Sequence, residues 1–414
     1  MKLPNGPNLP PLVQMLCWVI DPVRYMLKAR GHYGELFTTR LGENFHPLIF
    51  VSEPQAIQQI LTREPQEFVA PGSLNKILQP VLGENSVMML DSTRHRRQRR
   101  LLTPCFHGER VQAYSQQIVD ITQQVMNRLT PNQTFRARSV MQDISLQVIL
   151  EVVFGLYERE RYQQLKKLIR SLLNLFGSPL TASLLFFPSL QKNWGLWSPW
   201  GYFQCIRRQI DELLYAEIAE RRQQLDPERA DILTELMLAV DEVREPMTDV
   251  ELRDELLTLL FAGHETTATA MAWSLYWVHH LPKVGTRLLR ELDFLGELLD
   301  PIAISRLPYL TAVCQETLRI YPVGLLTFGR VVRVPVQLMN YELEPGTEII
   351  VCIYLTHHRE DLYPQPEQFQ PERFLEHRFS PFEFLPFGGG SRRCLGDALA
   401  TLEMKLVLAT IMSC

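Results

Sequence analysis

The sequence predicts a mainly α-helical protein with small β-sheets, organised as a single large domain over residues 1–414. Three features carry that expectation. Apolar residues recur at three- and four-residue spacing through several long stretches between residues 54 and 280, the period of helices with one buried face. The last of these stretches opens at Thr248-Asp249-Val250-Glu251 and continues to His280, where Pro282 stops it. That is about 32 residues, or roughly 48 Å at 1.5 Å per residue, and a helix of that length suits one large domain. Finally, no internal repeat or Gly/Ser-rich linker divides the chain.

In order along the chain, four prolines in residues 1–12 break helical periodicity. Glu35–Arg40 and Pro47–Ser52 are expected strands around a Gly42–His46 turn. Helices are expected over Pro54–Thr62, Arg110–Leu129, Val140–Phe154, Glu158–Phe176, Tyr202–Gln224 and Ile232–Val243. In the long helix, the Thr248 hydroxyl and Glu251 carboxylate form a capping box that satisfies free amides of the first turn. Beyond Pro301, Leu310–Ile320 is a short helix. Thr327–Val336 and Val351–Leu355 read as strands, with Glu344-Pro345-Gly346-Thr347 a turn between them. Residues 357–386 are proline-rich and aperiodic, an irregular coil long enough to be functional or pinned by specific contacts. A final helix is expected over Leu395–Met412.

Composition narrows the function classes. Hydrophobic residues at 46% and charged residues at 21% exclude a disordered or fibrous chain. Lys plus Arg less Asp plus Glu is 42 − 46 = −4, which gives no reason to expect a nucleic-acid partner. Seven cysteines form no CxxC pair, so neither a disulfide framework nor a zinc site is indicated and a reducing compartment is expected. No apolar run is long enough to span a bilayer: Trp18–Leu27 is short and carries Asp21 and Arg24, and Leu168–Leu190 is interrupted by Arg170, Asn174, Gly177, Pro179 and Pro188. The expectation is a cytoplasmic protein with no transmembrane anchor; peripheral contact with a membrane stays open.

Three constellations carry chemistry. Phe387-Gly388-Gly389-Gly390-Ser391-Arg392-Arg393-Cys394-Leu395-Gly396 places a cysteine after a triple glycine and at the opening of a helix, where free amides favour a thiolate. A buried thiol on an ordinary loop is the plainer reading; a thiolate ligand to a haem, whose porphyrin supplies the other donors, is the sharper one. Glu316-Thr317-Leu318-Arg319 puts an acid and a base on one face of an apolar helix, where Arg373 of Pro371-Glu372-Arg373-Phe374 can complete the pairing. Ala262-Gly263-His264-Glu265-Thr266-Thr267 interrupts the apolar long helix with polar groups. It is either a satisfied polar patch or a distorted segment where Gly263 leaves room for a ligand and Glu265 and Thr266 handle protons.

Together, and in this order, the motifs resemble those of the cytochrome P450 haem-thiolate monooxygenases, of the soluble bacterial type. Phe387-x-x-Gly390-x-Arg392-x-Cys394-x-Gly396 matches the haem-binding signature, Glu316-x-x-Arg319 the internal helix motif, and Tyr363-Pro364-Gln365-Pro366 to Phe374 the meander. The resemblance implies the P450 fold, with a long central helix over a haem b, and assigns roles by position. Cys394 would be the axial iron ligand, with Phe387 packed over its sulfur and Gly396 completing the signature. Thr266 would hold water and dioxygen by hydrogen bonds, and Glu265 would relay protons. Glu316, Arg319 and Arg373 would form a structural cluster. His95, Arg99, Arg330 and Arg392 would meet the haem propionates, a reading preferred to a nucleic-acid patch for the basic run His95–Arg100.

The resemblance further implies a monooxygenase that hydroxylates or epoxidises a lipophilic substrate, a fatty acid or terpene first among candidates. Electrons would come from a ferredoxin or flavodoxin with its reductase, steered to a basic surface of Arg96, Arg97, Arg100, Arg393 and Lys405. The rivals are a haem-binding protein without turnover and a peroxygenase or isomerase of the same fold. Phe68–Leu90, Leu173–Leu190 and Val323–Phe328 would line the substrate pocket, with Phe261 and Ala262 nearest the iron. The aromatic run Trp194–Trp200 is either core packing or a membrane-facing entry. Only 414 − 394 = 20 residues follow Cys394, so the final β-hairpin region of such proteins is expected to be missing from this chain.

Overall fold

The computed structural model describes residues 3–42, 45–155, 160–176, 181, 184–185, 191–195, 197–295 and 300–413. They form two compact units. The first comprises residues 1–74, 273–299 and 305–397; the second comprises 75–272, 300–304 and 398–414.

The first unit is built on a five-stranded sheet of order β1-β2-β7-β4-β3. β1 (Leu36–Thr39) and β2 (Leu48–Val51) pair antiparallel, with Leu36 opposite Val51. β7 (Glu348–Val351) lies parallel to β2, β4 (Arg330–Val332) antiparallel to β7, and β3 (Phe68–Val69) antiparallel to β4. Successive side chains on a strand point to opposite faces, and each face here has its own core. Ile49 and Val51 pack with Ile57, Ile60, Phe68, Ile349 and Leu385; Phe50 packs with Phe37, Met26 and Leu355. Leu385 ties the segment just before the triple glycine to the first of these cores.

Where the described chain departs from expectation in this unit, the reasons are local. Prolines open helices rather than preventing them: Pro11–Ile20 and Pro22–Tyr33 each begin with proline, whose missing N–H costs nothing in a first turn. The expected strand Thr327–Val336 divides at Pro335, which cannot donate to a ladder. β4 ends before it, and β5 (Val336–Leu338) pairs with β6 (Tyr341–Leu343) in a separate two-stranded sheet. The expected strand Val351–Leu355 is a strand only to Val351. The last rung of the β2–β7 ladder is Val51 opposite Val351, and Ile353–His357 then coils into a helix, with the Thr356 hydroxyl donating to Cys352 O at 2.9 Å. Five residues are too few for periodicity to separate the two forms.

The second unit is helical. Ala137–Phe154 is buried along most of its length and packs with Ser115–Met126 and Ile232–Leu238, while Glu160–Phe176 packs with Pro199–Gln223. Gly155 ends the first of these helices in the left-handed conformation, φ +55°, where a Cβ would also meet the Asp231 carboxylate at 2.6 Å. Ser198 and Asp231 cap Pro199–Gln223 and Ile232–Leu238 by accepting from Gly201 N at 3.1 Å and Thr234 N at 3.0 Å. The second helix stops at Leu238, short of the expected Val243, because the Asp241 carboxylate takes the Val243 and Glu245 amides into a turn instead.

The long helix spans Asp249–His280 and is α-helical throughout, including the polar motif. Its capping box forms as expected: Thr248 N donates to Glu251 Oε2 at 2.8 Å, and Glu251 N to Thr248 Oγ1 at 3.2 Å. The chain's last helix is Asp397–Met412. Among the described residues, no helix is long and apolar enough to cross a membrane. The aromatic run divides: Trp200 is buried on the first turn of its helix, whereas Trp194 and Trp197 are exposed, Trp197 by 98%. Much of Leu173–Leu190 lies outside the described residues.

Candidate active site

The triple glycine shapes a loop around Cys394. Gly388 and Gly390 take φ of +67° and +64°, which L side chains rarely adopt, and a Cβ on Gly389 would come 2.6 Å from Leu61 Cδ1. The loop closes by a hydrogen bond from Cys394 N to Phe387 O at 3.0 Å, and Gly396 leads into the last helix. Phe387 itself is half-buried. Cys394 is the one exposed cysteine among the described residues. Burial pushes the Cys105 thiol up to about 11 and holds Cys352 well above its ordinary value, which disfavours a thiolate at either.

Two buried arginines brace this loop. Arg392 Nη2 donates to Ala70 O at 2.7 Å. Arg330, 1% exposed, uses Nη2 to hold Gly389 O at 2.8 Å, Nη1 to hold Phe328 O at 2.5 Å, and Nε to meet the Glu64 carboxylate. Each of its terminal nitrogens keeps a second N–H with which to meet an anionic side arm. Glu64 belongs to no motif and was invisible to sequence reasoning; it also accepts from Ser391 N at 3.0 Å. An exposed thiol on a glycine-built loop, with a buried guanidinium beside it, fits a haem that takes one sulfur ligand from the chain and presents carboxylates at its edge.

Glu316, Arg319 and Arg373 meet in the same unit. Glu316 and Arg319 lie on the helix Pro308–Ile320, both 0% exposed. Arg319 Nε and Nη2 donate to the two Glu316 oxygens at 2.7 and 2.8 Å, a bidentate pair, and Arg373 Nε adds a third bond to Oε1 at 3.2 Å. The remaining donors are spent on the coil: Arg319 Nη1 on His357 O, and Arg373 Nη1 on Pro364 O, both at 3.0 Å. Residues 357–386 are therefore pinned by charge-assisted bonds rather than by regular structure, except for the short helix Arg373–Glu376.

The second unit holds the other expected residues. His95 and Arg99 lie one turn apart on the helix Ser92–Leu102, His95 buried and Arg99 half-buried. Thr266 is exposed, and its hydroxyl donates to Ala262 O at 2.5 Å. Glu265 meets the Arg138 guanidinium and accepts from Gln142 Nε2 at 2.8 Å. Gly263 lies close against a neighbouring helix. Its missing Cβ would lie 2.6 Å from Ile149 Cδ1, so glycine here allows close packing against Ala137–Phe154. His264 is buried with Nε2 3.0 Å from Gln142 O, and burial pushes its pKa down.

Several of the cations expected to form a basic surface carry acidic partners. Arg97 does not face outward unpaired: its Nε donates to Asp241 at 2.6 Å and its Nη1 to Glu251 at 2.9 Å. Arg100 pairs with Glu242, and in the first unit Arg393 pairs with Asp397 at 2.7 Å. Acids interleave with the cations at these positions.

A glycine-built loop that presents an exposed cysteine, braced by two buried arginines, points to the haem-thiolate class of protein. The family model for cytochrome P450 matches residues 4–413, and the chain belongs to the cytochrome P450 family. It is 37% identical to the putative cytochrome P450 135B1 of Mycobacterium tuberculosis, over 100% of this chain and 85% of that protein. It is 33% identical to the putative cytochrome P450 138 of the same organism, over 100% of this chain and 89% of that one. Among solved structures it is similar to retinoic acid bound cyanobacterial CYP120A1, with 26% identity and a TM-score of 0.83 over 100% of this chain and 92% of the other. The chain is accordingly a cytochrome P450 monooxygenase with haem b as its cofactor.

Proposed function

We propose that this monooxygenase hydroxylates or epoxidises a lipophilic substrate in the cytoplasm, a fatty acid or terpene first among candidates, with electrons from a separate ferredoxin or flavodoxin and its reductase. The observation that carries the site is the exposure of Cys394 on a loop closed by its own amide. When bound, haem supplies an iron centre able to activate dioxygen, and thiolate ligation favours O–O cleavage. Cys394 would hold it from the sulfur side, with Arg330, Arg392, His95 and Arg99 as the cationic partners of its propionates. Thr266 keeps lone pairs that can accept from water while its proton is held by Ala262 O. Glu265, the preceding residue, has its carboxylate toward exposed Arg138, which supports a role in taking a proton from solvent and passing it inward.

The apolar residues Val323 to Leu326 and Phe261-Ala262 support a lipophilic substrate, and the similar cyanobacterial structure is described with retinoic acid, an apolar isoprenoid acid. The test is a titration of the holoprotein with fatty acids, terpenes and sterols, read by haem spin state. Saturable shifts with the first two classes support the proposal; none with any member would overturn it. In parallel, Cys394→Ala should abolish the thiolate-type carbon monoxide band, and an unchanged band would sink the ligand assignment.

A further inference from the structure

Glu64 stands apart from every motif, yet it touches the cysteine loop and the arginine behind it. Its carboxylate is 7% exposed and splits its two oxygens between them: Oε1 meets Arg330 Nε, and Oε2 accepts the Ser391 amide at 3.0 Å. The loop is shaped to admit it, since a Cβ on Gly390 would lie 2.7 Å from Glu64 Oε1 and 3.2 Å from Arg330 Nη2. Arg330 in turn holds Gly389 O at 2.8 Å. Two successive loop peptides are thus gripped, one through its carbonyl by the cation and one through its amide by the anion, three and five residues before Cys394.

We propose that Glu64 is a positioning residue of the haem site, which fixes Arg330 and the cysteine loop in one geometry and balances the charge of Arg330 so as to set the electron affinity of the iron. The inference rests on Cys394 being the iron ligand. Away from water, charges are screened far less than at the surface, so a buried pair holding the loop of the proposed iron ligand would act on the charge state of the iron through both members. Removing the anion takes one negative charge from beside Arg330, leaving the site more positive, and favours the ferrous state, which carries one more electron. Removing the cation leaves Glu64 uncompensated and favours the ferric state. Removing both restores the balance. A role confined to packing has no reason to produce opposite signs.

The experiment is a spectroelectrochemical titration of the holoprotein, with the carbon monoxide difference spectrum recorded for each variant. Glu64→Gln should shift the midpoint potential positive and Arg330→Gln should shift it negative, both with the thiolate-type band retained. The double variant should return toward the wild-type value, and Glu64→Asp should restore it in part. Potentials that do not move, or that move in the same direction, with the band intact would overturn the proposal while leaving Cys394 as the ligand. If Glu64→Gln retains no haem, the double variant decides. Haem retained at the wild-type potential supports the pairing, and haem lost there overturns it. A wild-type protein without the thiolate-type band would overturn the Cys394 reading and this one with it.

Discussion

Arg373 Nε donates to Glu316 Oε1 across 3.2 Å, joining two positions 57 residues apart in the chain. Glu316 already holds Arg319 through both oxygens, and all three side chains are buried. Losing one member of such a group leaves a buried charge short of a partner. Arg373→Ala should therefore destabilise the protein by about 3 kcal/mol or more and promote haem loss. Urea unfolding followed by tryptophan fluorescence checks this, and an unchanged midpoint would show the cluster to be dispensable.

Two buried acids predict the direction of the pH dependence. Burial pushes Glu403 and Glu255 up to about 8 from an ordinary 4.5, and each carboxyl is enclosed: Glu403 beside Ser145, Glu255 on Val87 N at 2.7 Å. Between those values the folded chain keeps protons that the unfolded chain has released. The stabilisation is present in full below about pH 4.5 and is lost as pH rises through about 8. Glu403→Gln should flatten this decline. Denaturant midpoints from pH 5.5 to 8.5 measure it; an equally steep decline in the variant would contradict the assignment.

Trp200 and Trp197 lie three residues apart and should behave oppositely. Trp200 is 6% exposed and packs against Phe203 at a ring separation of 4.9 Å; Trp197 is 98% exposed. Trp200→Ala should cost about 3–5 kcal/mol, and Trp197→Ala should stay within about 0.5 kcal/mol. Equal losses in thermal unfolding would show that the exposed ring is packed.

Gly263 offers a test of why the polar motif contains glycine. Alanine favours a helix by about 1 kcal/mol, but its Cβ would press on Ile149 Cδ1. In the wild-type background Gly263→Ala should gain none of that preference. With Ile149→Val, which removes Cδ1, the same substitution should become stabilising. A gain of the same size in both backgrounds would show that helix packing does not constrain the position.

If Thr266 handles protons as proposed, Thr266→Ala should raise hydrogen peroxide release per electron consumed, because the hydroxyl now bonded to Ala262 O is lost. Simultaneous oxygen, peroxide and product measurements check it, and fully coupled turnover would remove Thr266 from proton handling.

What could be read from the sequence depended on how local each signal was. The capping box at Thr248–Glu251, the Glu316–Arg319 pair and the Phe387–Gly396 loop are fixed by spacings of ten residues or fewer, and helical geometry or glycine's freedom turns each into a definite shape. Glu64 had no such signature: its partners Arg330 and Ser391 are 266 and 327 residues away. Short segments also escaped. Ile353–His357 alternates like a strand but ends a ladder whose partner has run out, and Gln14 sits buried in a helix whose apolar residues Leu12, Leu16, Val19 and Ile20 face outward. Its amide has four partners there, Pro7 O, Leu9 O, Tyr25 Oη and Arg40 N, supplied only by the folded chain.

By itself, then, the sequence determined which cysteine is the candidate iron ligand, which acid and base share a helix face, and where the long helix begins and stops, because each follows from local residue spacing and backbone geometry. Only the tertiary structure decided that Arg330 is bound to Glu64, that Arg97 is spent on Asp241 and Glu251, and that Gly263 makes way for Ile149. A buried charge must find its counter-charge wherever the fold brings one, and a missing Cβ has meaning only once the neighbour that needs the space is known.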